Sequence, residues 1–97
     1  MNKEAILVIQ EYISDHDKPC RYFWREQYFE QWSYSRWACK ELIRRIKIKM
    51  KSRPIDVVED FVREMSDYSR KKSSSSFMFS VAKGTAEDIL DIFLAMQ

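Results

Sequence analysis

Ninety-seven residues with a formal net charge of +2, of which 45% are apolar and 14% aromatic, hold enough hydrophobic material for one modest packed core. A single glycine and two prolines leave too few turn formers for the hairpins of an all-β architecture. The near-neutral total carries no functional signal, so only the distribution of charge along the chain is informative.

Asn2 to about Ser14 reads as a first helix, with Asn2 as cap and Ile6, Leu7, Val8, Ile9 and Ile13 as a broad apolar face. Asp15-His16-Asp17-Lys18-Pro19 reads as a polar turn, because the proline pushes Lys18 out of the helical region. From Arg21 to Lys51 no proline or glycine interrupts 31 residues. At about 100° per residue, Trp24, Tyr28, Trp32, Cys39, Leu42, Ile43, Ile46 and Met50 share one side of that segment. The spacing predicts one long helix over 21–51, continuous through Ser33-Tyr34-Ser35, although either serine is chemically able to cap a fresh start. At that length it would span ~45 Å, more than a domain of this size, so part of it is expected to overhang, kink or meet a partner.

Ser52-Arg53-Pro54 marks a stop and a new start, with Pro54 suited to a first helical turn and Asp56 to the positive end of the helix dipole. A third helix follows over 54–70, with Ile55, Val58, Val62, Met65 and Ser69 on one stripe, widened by Phe61 and Tyr68. Lys71-Lys72 and the four serines after them read as a connector. A fourth helix over 76–96 aligns Met78, Val81, Ala82, Thr85, Ala86, Ile89, Phe93 and Met96. Gly84 weakens it by ~1 kcal/mol relative to alanine, and the alternative is a break there with Thr85 capping a shorter helix. The expected architecture is all-α: one domain over 1–97, a small antiparallel bundle of about four helices around one long, kinked or extended spine.

Arg36 to Arg53 holds eight lysines and arginines against Glu41 alone, while the flanking segments are net acidic. Arg36, Lys40, Arg44, Lys47 and Lys51 form a stripe by their spacing, and two readings fit it. A cationic helix face can displace counterions from nucleic acid or meet an acidic protein. Alternatively, in a hairpin turning at Ser52-Arg53-Pro54, the cations meet Asp56, Glu59 and Asp60 in an internal ion-pair seam. A helix-turn-helix recognition helix is not expected, because the third and fourth helices carry carboxylates where phosphate would lie.

Eight aromatic residues crowd into Tyr22 to Trp37. Phe23, Tyr34, Trp37 and Ile48 fall opposite the main apolar side, and a helix apolar on two faces is central in its bundle or contacts a second protein. The leading expectation is a small non-catalytic interaction protein that self-associates, or binds another protein, through those four residues. The rival is a nucleic-acid-binding accessory protein without sequence preference, using the basic stripe.

No enzyme, cofactor or metal is expected. His16 is the only histidine and sits in a turn, and Cys20 and Cys39 lack the spacing of a zinc or redox site. With only two thiols, both are expected to be reduced in a cytoplasmic protein. Ala5 to Ile9 is too short for a signal-peptide core, and no run reaches the ~18 apolar residues of a membrane span. Neither a membrane nor a small-molecule substrate is expected as a partner.

Overall fold

The computed structural model describes residues 2–16, 26–71 and 76–96, with side chains placed for 3–14, 30–71 and 76–96. Every regular element among them is a helix: α1 Asn2–His16, α2 Glu26–Ile48, α3 Pro54–Arg70 and α4 Ser76–Ala95. They pack against one another as a small all-α bundle, as the periodicity predicts.

The long helix ends at Ile48, short of Lys51. The Lys49 amide still donates to the Arg45 carbonyl at 2.9 Å, but the Ser52 amide then closes a tighter turn on Lys49 at 3.1 Å. The residue before a proline is steered out of helical geometry, and Arg53 is extended (φ −69°, ψ 141°) ahead of Pro54. Met50 therefore leaves the apolar stripe on which its spacing placed it and is 76% exposed in the turn. Residues 17–25, among them Cys20, Phe23 and Trp24, lie outside the described residues. The 23 residues of α2 span about 35 Å, which fits within the 39 Å longest dimension, so this part of the helix needs no overhang.

Ser33-Tyr34-Ser35 stays helical. Ser35 caps nothing, because its hydroxyl lies 2.9 Å from that of Thr85 on α4. Thr85 has one hydroxyl proton and its oxygen is 3.0 Å from the Val81 carbonyl, so it donates to the carbonyl and accepts from Ser35. That back-bond also decides the fourth helix. Thr85 serves as a bridge inside one continuous α4, not as the cap of a shorter one, and Gly84 is an interior helical residue.

The core is assembled from all four helices. Ile9 of α1, Leu42 and Ile46 of α2, Phe61 and Met65 of α3 and Ile89 of α4 are fully buried, each contributing about 1.5–3 kcal/mol of burial. α3 and α4 form the most extensively packed pair, with the Tyr68 and Phe79 rings 5.0 Å apart near their connection. α2 meets α3 differently. Trp37 and Arg45 lie two turns apart on α2, yet the Trp37 ring (6.2 Å between centroids) and the Arg45 guanidinium (5.0 Å from the centroid) both reach Phe61. α3 thus crosses α2 at Phe61 instead of running along it. α1 lies against α2 and touches α4, where the Tyr12 hydroxyl donates to Asp88 Oδ2 at 3.2 Å.

Candidate functional site

The inward side of α2 is set by Ala38, Cys39, Leu42 and Ile46, all buried. At about 100° per residue, the opposite arc of roughly 120° contains Arg36, Lys47, Lys40, Arg44, Trp37 and Ile48. The two features separated in the sequence therefore share one outward face. Lys40, Arg44 and Lys47 are exposed on it, and Lys51 is exposed in the following turn, while Arg36 is half-buried with its guanidinium 5.3 Å from the Trp32 ring centroid. Trp37 is 38% exposed despite its contact with Phe61, and Ile48 is 64% exposed.

Of the four apolar residues expected to form one patch, the three described ones are not brought together. Tyr34 turns to the flank, where its ring meets Phe77 of α4 edge-on at 5.9 Å. Trp37 and Ile48 are about three turns apart on the outer face, a separation of ~16 Å. Phe23 is outside the described residues.

The ion-pair seam forms with a different cast from the one the hairpin suggested. Asp56 is held by Arg53 (Nε–Oδ2 3.1 Å) and Asp60 faces Arg63 at 3.7 Å, so neither meets the stripe. The cation that crosses to α3 is Arg45, whose Nη1 and Nη2 donate to Glu64 at 2.8 and 3.2 Å and whose Nε donates to Glu41 at 3.1 Å. Arg44 is the one stripe residue drawn into this network, through Glu41. Among the described residues Lys40, Lys47 and Lys51 make no salt bridge.

Comparison with family models, curated proteins and solved structures gives no match. The chemistry of the face must therefore be read from its own residues.

Hydrogen bonds from Arg44 and then Arg45 hold the Glu41 carboxyl below its ordinary value, and Arg45 does the same to Glu64. Both acids stay ionised at neutral pH: Glu64 offsets Arg45 on the α3 side of α2, and Glu41 offsets part of the charge of Arg44 and Arg45, leaving Lys40, Lys47 and Lys51 to carry the net positive charge of the outer face. Burial pushes the Cys39 thiol up to about 12, so it is a packing residue with no nucleophilic character at neutral pH. His16 closes α1, with its side chain outside the described residues. Among the described residues no three His, Cys, Asp or Glu side chains are grouped to hold a metal ion, and no helix is long and apolar enough to cross a membrane.

Proposed function

We propose that this chain is a non-catalytic binding protein whose outer α2 face takes nucleic acid without reading its sequence. The observation that carries this reading is the coincidence of exposed Lys40, Arg44 and Lys47 with a partly exposed tryptophan on one helix face, where Glu41 is the one carboxylate between Arg36 and Ile48 and Glu30 lies about two turns before Trp37. Cations at that spacing track a phosphate backbone, and Trp37 offers a ring edge or face to an unstacked base. The acidic outer faces of α3 and α4 orient the molecule by repelling phosphate.

Exposed Ile48 favours a second reading, contact with another protein. A symmetric pair of copies meeting through this face is disfavoured, because each would press Lys40, Arg44 and Lys47 against the same cations of the other.

Fluorescence anisotropy with short single-stranded and duplex DNA and RNA tests the first reading. Micromolar binding at low salt is expected, with log K falling against log salt at a slope of about −3 if roughly four phosphates are neutralised. Lys40→Glu with Lys47→Glu, both at exposed positions, should weaken it at least tenfold. Unchanged affinity in that double variant, or no binding at low salt, overturns the reading and directs attention to an acidic protein partner.

A further inference from the structure

A groove of about 670 Å³ opens where α1, the first half of α2 and the middle of α4 meet, within the ~300–1,000 Å³ range of small-molecule sites. Tyr12 lines it from α1, Trp32 and Ser35 from α2, and Gly84, Thr85 and Asp88 from α4. Gly84 is the chain's only glycine and stands in the interior of a helix, where glycine is a poorer helix former than alanine. Its φ is not positive, and a Cβ at this position would meet nothing within 4 Å. Neither backbone conformation nor packing among the described residues requires it. The missing side chain instead leaves the α4 backbone open to the groove, the use to which glycine is put where a ligand comes close.

The floor is closed: Thr85 is 5% exposed and its hydroxyl is satisfied by Ser35 and Val81. Among the described residues the charged lining residues, Glu87 and Asp88, are both acidic. Glu87 faces Lys83 at 3.6 Å, whereas Asp88 accepts from Tyr12 through Oδ2, and a carboxylate has capacity for further donors. Burial and then the Asp88 charge raise the Tyr12 hydroxyl above its ordinary value, which keeps it a neutral donor. Tyr12 and Trp32 supply aromatic surface, which attracts cations. Trp32 already takes the Arg36 guanidinium, and Arg36 is not a lining residue of the groove.

We propose that this groove binds a small organic cation, an ammonium carried on an aromatic or alkyl body, with the charge on Asp88 and the body against Gly84 between Tyr12 and Trp32. The site is independent of the α2 outer face and opposite to it in charge, so a polyanion is repelled from one and drawn to the other.

The test is an amide-resolved NMR titration of the full chain with phenethylammonium, with phenethyl alcohol as its neutral counterpart. The ammonium is expected to shift the amides of residues 80–88 and the Trp32 indole at millimolar concentration or below, and the alcohol to bind at least tenfold more weakly. Asp88→Asn, which keeps an acceptor for Tyr12, should bring the ammonium to the level of the alcohol. Gly84→Leu should abolish binding without lowering the thermal midpoint, because it fills the groove while improving helix propensity. Lys40→Glu with Lys47→Glu should leave this binding unchanged, which separates it from the nucleic-acid reading. No shift at ~10 mM, equal binding of the two probes, or unchanged binding in Gly84→Leu overturns the proposal.

Discussion

Arg45 does more to join two helices than any residue of the basic stripe. It donates to Glu64 across the α2–α3 crossing and to Glu41 along its own helix, and its guanidinium covers the Phe61 ring. Glu64 has a folded-state pKa below its ordinary 4.5, so its contribution is fully present above about that pH and is lost as pH falls further. Glu64→Gln should therefore lower stability by about 0.5–1 kcal/mol at pH 7, with the difference from wild type shrinking progressively as pH falls below the ordinary carboxylate range, as read by urea unfolding at several pH values. Nothing in the spacing of the stripe singles out Arg45. It sits about 100° from Arg44, and its importance comes from the acid that the neighbouring helix happens to present. Gly84 makes the converse case at this scale. With nothing within 4 Å of its Cβ position, Gly84→Ala should raise stability by about 0.5–1 kcal/mol, measured as an increase in thermal midpoint.

Among the elements, α3 is the most clearly two-faced, with Val57, Val58, Phe61 and Met65 buried and Glu59, Asp60, Arg63 and Asp67 exposed. Phe61 lies at the crossing with α2 and has no solvent exposure. Phe61→Ala should cost about 3–5 kcal/mol in equilibrium unfolding, more than truncating Val57 at the edge of the same stripe. The start of α3 was legible because Pro54 fixes φ at a position whose amide has no helical partner, and Arg53 accordingly takes the cap position. The end of α2 was less so. Periodicity runs on to Met50, but the proline's demand on Arg53 propagates back through a tight turn, and the helix stops at Ile48. The first helix shows a similar narrowing: Leu7 belongs to an apolar run and is nonetheless 57% exposed, because α1 packs mainly against α2 and, among its described side chains, buries Ala5 and Ile9.

Among the described residues the exposed charge is weighted by helix: cations predominate on the outside of α2 from Arg36 onward, and carboxylates outnumber the cations Arg63, Arg70 and Lys83 on α3 and α4. This arrangement opposes a symmetric dimer through the α2 face, and sedimentation at low ionic strength should show a monomer. A dimer there that is lost in Trp37→Asp, with the helical signal unchanged, would restore self-association as the working mode. Helix number, order and most inward faces were readable from the chain alone, because an apolar stripe with a 3.6-residue period is a local property of one helix and needs no knowledge of its neighbours. Inter-helix geometry is another matter. Only the tertiary structure set α3 across α2 at Phe61 and joined Tyr12 to Asp88 across 76 residues to wall a groove. Those relations depend on how side chains of different helices interdigitate and on where short connections let the helices lie, and no periodicity within a single helix encodes them.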